Sequence, residues 1–322
     1  MQFERVHRGN VTAVLLALAV FTASCKRVPL HDASAQVYLE IAQALDQPMV
    51  VPDTIDLASN PAYYEKYHIP EPAKMVACFY DPTTHALVDK EYVGPYGGHI
   101  NELSPGTYDL MVYQLGTLST QTENDDARNA MRAFTSIITK ADPVITEPDH
   151  IMTGKLDSVT IPHNPGGDES VLIHVDAQTA LETWAFIAKG VTGIENVKDV
   201  RAMISHQANS KFLWSGQNPN APVYLPSTAV SDPAHKCFYG VYNTFGNLSG
   251  QVVLHLIVTN HAGAQQLFGF DVTDQITDPL NVNKIIRVEG GIDISSSGGT
   301  DVGGYDPYVH DWDEEIIIIP IN

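Results

Sequence analysis

Leu103-Ser-Pro-Gly-Thr-Tyr-Asp-Leu-Met-Val-Tyr113 decides the fold class. Pro105-Gly106 makes a turn. Beyond it, Tyr108, Leu110 and Val112 point one way, and Thr107, Asp109, Met111 and Tyr113 point the other. That is the two-residue period of a β-strand. The stretch before it, Gly94-Pro-Tyr-Gly-Gly98, breaks the chain.

Working outward, the same signature recurs. Ala73 to Tyr80 is a compact apolar strand closed by Asp81-Pro82, and Ala86-Leu-Val88 is its hairpin partner. Ser34 to Ala42 alternates, with Val37, Leu39 and Ile41 on one face. Pro48, Pro52, Pro61 and Pro70 keep long regular elements out of the connection between these two strands. Downstream, Glu123 to Lys140 reads as one short helix. Asp125-Asp126 stand near its start, and Ala127, Ala130, Met131, Phe134, Ile137 and Ile138 recur at helical spacing. Arg128 and Arg132 sit early in it, where the helix dipole disfavours cations.

The second half repeats the β pattern. Leu156 to Ile161, Ser170 to Asp176, Thr183 to Lys189, Val197 to His206, Phe238 to Phe245 and Ile285 to Gly291 read as strands. Gly250 to Thr259 and Gln265 to Val272 form a hairpin across Asn260-His-Ala-Gly263. Gly216 to Pro226 reads as a proline- and asparagine-rich loop. Many short strands, frequent turns and little helix predict an all-β protein of two β-sandwich domains in series, 34–150 and 155–322.

The N-terminus predicts export. Arg5 and Arg8 precede the apolar run Val11 to Phe21, followed by Thr22-Ala-Ser-Cys25. The run is too short to span a bilayer, which takes ~20 apolar residues. Small residues directly before Cys25 resemble a bacterial lipobox, so residues 1–24 are expected to be a lipoprotein signal peptide, Cys25 the lipidated first residue, and 25–33 a tether. Of the 18 basic and 38 acidic residues, the leader carries Arg5, Arg8 and Glu4; 16 basic and 37 acidic residues follow it. That charge excludes nucleic acid as a partner, because its binding requires neutralising phosphates. Attachment to the outer membrane would come from the N-terminal lipid. Besides Cys25, only Cys78 and Cys237 are present, each in an apolar or aromatic run, and they read as buried reduced thiols.

A lipobox followed by Pro105-Gly-Thr-Tyr-Asp-Leu-Met-Val-Tyr113, the stretch Gly193 to Ser205 and the ending Asp311-Trp-Asp-Glu-Glu-Ile-Ile-Ile-Ile-Pro-Ile321 resemble the fimbrillin-like lipoproteins of anaerobic bacteria, including pilus anchors. The resemblance implies two transthyretin-like sandwiches, a place on the cell surface, no enzyme chemistry, and pilus subunits or surface ligands as partners. Pilus stalk subunits of this kind are cut after an arginine beyond the first strand, which opens a groove for a partner strand. Here Arg27 precedes the first strand and the next arginine is Arg128. A permanently closed first domain is therefore expected, as in an anchor or solitary lipoprotein. The other reading is a glycan- or nutrient-binding lipoprotein of an uptake system.

Near the C-terminus, Ile316, Ile317, Ile318, Ile319 and Ile321 supply apolar side chains to both faces of a strand. They are expected to close the second sandwich or be donated to a partner, with Asp311, Asp313, Glu314 and Glu315 as charged gatekeepers. Thirteen histidines include no His-x-x-x-His pair, and neither a nucleophile elbow nor a phosphate-cradling loop occurs. No catalytic residue, cofactor or structural metal is expected; Asp301, Asp306, Asp311 and Asp313 on a glycine-rich loop are the calcium candidates. Among aromatics, Trp184 alternates with apolar residues and reads as core. Tyr63, Tyr64, Tyr305 and Tyr308 lie in polar loops as ligand-binding candidates.

Overall fold

The computed structural model describes residues 35–45, 47, 65–101, 103–139, 142–163 and 170–294. Among them, nineteen strands follow in order. The first eleven are β1 (Gln36–Gln43), β2 (Lys74–Tyr80), β3 (Leu87–Val93), β4 (Gly97–Ile100), β5 (Gly106–Leu115), β6 (Gln121–Glu123), β7 (Arg132–Phe134), β8 (Ile137–Thr139), β9 (Val144–Ile145), β10 (Met152–Ile161) and β11 (Ser170–Thr179). Then come β12 (Glu182–Lys189), β13 (Val197–Ala208), β14 (Ser210–Phe212), β15 (Pro222–Asp232), β16 (Cys237–Thr244), β17 (Val253–Asn260), β18 (Gln265–Asp271) and β19 (Ile285–Glu289). A five-residue helix, α1 (Thr273–Thr277), precedes β19. The protein is all-β.

The first sheet path runs β3-β2-β5-β10-β11-β1-β4. It folds into two layers, because β10 and β11 pair only through Met152–Thr179 and Thr153–Gln178 before diverging. Between the layers lies a core of alternate residues: Val37, Leu39 and Ile41 of β1, Met75, Ala77 and Phe79 of β2, Tyr108, Leu110 and Val112 of β5, and Ile173, Val175 and Ala177 of β11. The opening motif is visible here. Tyr108 packs edge-on against Phe79, and its hydroxyl donates to the Ser104 carbonyl at 2.8 Å, closing the Pro105-Gly106 turn.

The second path runs β18-β17-β13-β15-β16-β12-β19, with β8 and β9 beside β15. One strand serves both of its layers. β15 pairs with β13 from Ala208–Pro222 to Arg201–Thr228, then with β16 from Ala229–Gly240 to Asp232–Cys237. Its core contains Trp184, Phe186, Phe238, Tyr242, Leu254 and Leu256. The Asn260–Gly263 hairpin forms as expected, in register from Thr259–Gln265 to Val253–Asp271. The strand expected at Ile316, Ile317, Ile318, Ile319 and Ile321 lies outside the described residues, and the described second path ends on β19 instead.

Three expectations are corrected. The stretch 123–139 holds no helix: it forms β6, a turn, β7 and β8. Its true burial period is two, with Met131, Ala133 and Thr135 buried, and Ile137, placed on a helix's apolar face by the spacing, is 53% exposed. Arg128 and Arg132, poorly placed for a helix start, pair instead with Asp109 and Glu123. The piece covers the outer faces of β2 and β5 and joins β14 through a three-stranded sheet, β14-β7-β6. Next, Gly216–Pro226 is only partly loop, since β15 starts at Pro222. On the side away from β13, Tyr224 donates its N–H to the Pro143 carbonyl; Pro222 and Pro226 share its parity, so the N–H groups they lack cost no bond to β13. Last, β10 and β11, read from sequence as the start of the second unit, complete the first path, and the change of sheet falls at Ala180–Leu181.

Candidate functional site

Two places are the candidates for a functional site: the slot that holds β1, and a cleft where the two paths meet. β1 lies inside its layer. It pairs in parallel with β11 over eight positions, Gln36–Ser170 to Gln43–Ala177, and antiparallel with β4 from Val37–Ile100 to Glu40–Gly97. Ile41 N–H donates to the Tyr96 carbonyl, Ala44 N–H to the Ala177 carbonyl, and the Gln43 amide to the Pro95 carbonyl. Gly97 is required here. A Cβ on it would lie 2.0 Å from the Leu39 carbonyl oxygen, and its φ of +101° disfavours other residues.

The C-terminal end of this slot is clamped by buried polar groups. His150 shares hydrogen bonds with Thr179 Oγ1 at 2.9 Å, the Lys66 carbonyl at 3.0 Å and the Gln47 amide at 3.2 Å. Thr183 Oγ1 reaches both Gln47 and Asn243, and Asn243 N–H donates to Glu147, which pairs with Lys66 at 2.7 Å. Burial holds the His150 pKa below the usual histidine range. It pushes the Glu147 carboxyl upward, against the Lys66 ammonium that pulls it down.

The cleft opens where β10 and β11 diverge. Gly154 lets them approach: a Cβ there would meet the Asp176 carbonyl at 2.6 Å and Val175 Cγ1 at 2.7 Å. Its volume is about 410 Å³, and it is lined by β10, the end of β11 and the 211–216 turn that carries Trp214. That turn is fixed by the backbone bonds Leu213 N–H to Met131 O, Phe212 N–H to Gln217 O and Gly216 N–H to Phe212 O. The Arg128 guanidinium lies 4.4 Å from the centre of the Trp214 ring and the Lys155 ammonium 5.3 Å from it.

The fold is that of a Bacteroides ovatus protein described as a "putative adhesin". The two share a TM-score of 0.60 at 15% identity, over 85% of this chain and 97% of that one. A Bacteroides eggerthii "putative cell adhesion protein" gives 0.48 at 12% identity, over 83% and 89%. The fimbrial anchor protein Mfa2 from Porphyromonas gingivalis gives 0.48 at 13% identity, over 80% and 89%. No family model matches the chain, and no curated protein matches it in sequence.

The residues singled out from sequence fare unevenly. Cys25, the aromatics Tyr63, Tyr64, Tyr305 and Tyr308, and the calcium candidates Asp301, Asp306, Asp311 and Asp313 lie outside the described residues. So do all five isoleucines of the closing or donated strand, Ile316, Ile317, Ile318, Ile319 and Ile321. Trp184 is core, as expected, with its indole N–H on Glu182 at 3.2 Å. Cys78 and Cys237 are buried and free, and burial pushes their thiols up to about 12 and about 11, which keeps them protonated and unreactive. Among the described residues no three His, Cys, Asp or Glu side chains group as a metal site. No motif marks the cleft in the sequence: Lys155, Lys211 and Trp214 share no spacing and come together only in the fold.

Proposed function

We propose that this chain is a non-enzymatic lipoprotein of the bacterial cell envelope, related to the fimbrillin-like proteins and acting in adhesion or pilus anchoring. The observation that carries the reading is the filled slot. β1, the first described strand, sits between β4 and β11 with Val37, Leu39 and Ile41 in the core. No arginine lies between Ala33 and Ala127 to let an arginine-specific cut release it. A first sandwich closed by its own strand suits a subunit that ends or anchors an assembly. The shared fold with the Bacteroides ovatus protein supports the same reading, and Cys25, directly after the leader, would supply the means of attachment.

The test is expression of the full chain in a Bacteroides host. Membrane fractionation and protease treatment of intact cells should find the wild-type protein membrane-bound and cleavable from outside. Cys25→Ala should move it to the soluble fraction with its fold intact, because acyl chains supply the attachment at ~0.8 kcal/mol per buried methylene. A Cys25→Ala protein that stays on membranes in high salt, or a wild-type protein that remains in the cytoplasm, counts against the reading.

A further inference from the structure

The junction cleft has a composition at odds with the rest of the molecule. The chain holds 18 basic against 38 acidic residues, yet Arg128 and Lys155 lie over the indole of Trp214 and Lys211 lines the same cleft. Arg128 is answered by Asp109, which also accepts the Ser158 N–H at 3.0 Å, so this cation serves to hold one side of the ring. Lys155 and Lys211 differ. Neither is in an ion pair among the described residues; Lys155 donates to the Trp214 carbonyl and Lys211 to the Ala180 carbonyl at 3.0 Å. An ammonium carries three donors, so each has N–H groups to spare. Burial also holds the Lys211 pKa below the usual lysine range, offset by the charge of Glu182. A half-buried cation without a carboxylate in contact is a site that gains by meeting an anion.

The remaining lining narrows the ligand. Thr153, Asp176 and Gln178 line the mouth, and among the described residues the Asp176 carboxylate lies 3.3 Å from the His174 ring. An aromatic plate, several polar groups that donate and accept, and two cations in about 410 Å³ match a polyhydroxylated ring with one acidic substituent. A purely anionic ligand such as phosphate would be repelled by Asp176 and would leave the indole unused; a purely neutral sugar would leave the Lys155 ammonium without an anion. We infer that this cleft binds a saccharide bearing a carboxylate. Trp214 stacks on the ring, Asp176 and Gln178 take its hydroxyls, and Lys155 and Lys211 take the acid group. The site goes beyond the adhesion reading and stands or falls by itself.

The experiment titrates the full chain with digalacturonic acid and with 3′-sialyllactose, using galactobiose and lactose as neutral controls and citrate as a plain anion. Calorimetry and indole fluorescence report binding. At least one acidic sugar should bind about tenfold or more tightly than its neutral control and than citrate. Trp214→Ala and Lys211→Gln should each weaken it about tenfold, while Lys211→Arg retains most of the affinity. Lys155→Gln, at an exposed position that threatens no core, should weaken it severalfold with an unchanged melting temperature. The proposal is overturned if neither acidic sugar binds at about 10 mM, if citrate binds as well as the sugars, or if Lys155→Gln and Trp214→Ala, both shown folded, keep full affinity.

Discussion

β1 and β19 enter their sandwiches alike and end up differently. Each joins by a parallel ladder, β1 along β11 and β19 along β12. On its far side β1 meets another strand, β4. β19 meets side chains: Asn281 accepts from Ile285 N–H and donates to its carbonyl, at 3.1 and 3.0 Å, and Gln275 does the same for Arg287, at 2.7 and 2.8 Å. Two amides thus stand in for a strand, each offering one donor and one acceptor as a peptide group does. The contrast shows two ways of managing an edge. A backbone neighbour removes the edge, whereas amide caps cover it with groups that can swing away. Leu280 and Val282, both well exposed, ride on the loop that carries the cap.

The comparison breaks first at β1. Leu39→Ala removes a side chain at the centre of the first core; a loss of about 2–5 kcal/mol is expected in denaturant unfolding. A loss below about 1 kcal/mol would mean that β1 is not integral to the sandwich. The caps come next. Gln275→Ala with Asn281→Ala deletes five hydrogen bonds, four of them to β19, each with a net worth of ~0.5–1.5 kcal/mol at most. A loss of about 1–3 kcal/mol is expected, together with concentration-dependent association in light scattering as the bare edge finds partners. A double variant that stays monomeric at high concentration would show that the caps are not what shields β19.

The smallest effect sharpens the β1 side. The clamp at its C-terminal end contains neutral His150, whose folded pKa lies below the unfolded value of 6.5. The unfolded state therefore binds the extra proton first. Stability from this group is complete above about pH 7 and declines as pH falls through about 6.5, by up to ~1.4 kcal/mol per pH unit, until the folded pKa is reached. Glu147, raised by burial, works in the opposite sense. The measurement is thus the difference between wild type and His150→Gln: wild type should lose ground as pH drops from about 7 to about 5. Parallel stability curves would remove His150 from the clamp.

What the sequence made legible was whatever alternates locally. Val37, Leu39 and Ile41, the Pro105-Gly106 strand and the Asn260–Gly263 hairpin all announce themselves over a few residues. What it hid depends on distance. β1 finds β11 across the whole first half of the chain, and no local pattern records that. The segment after Glu123 misled because Ala127, Ala130, Met131 and Phe134 have helical spacing by coincidence, while the groups that choose its conformation, Asp109 and β14, lie elsewhere. The prolines of β15 suggested loop because their harmlessness rests on which side of the strand lacks a continuous ladder. Trp214 became a site only once Lys155 and Arg128 were folded against it.

The interior position of β1 also has a mechanical meaning. It is the first described strand after the segment that would hold the tether, so a pull on the chain ahead of Gln36 enters the fold through β1. Tension along the strand has to shear the eight-residue ladder with β11 and the ladder with β4 together, and drag three core side chains past their neighbours. β19, which among the described residues ladders with β12 alone, would instead peel from that one partner. A pull from the N-terminal side therefore loads two ladders in shear at once.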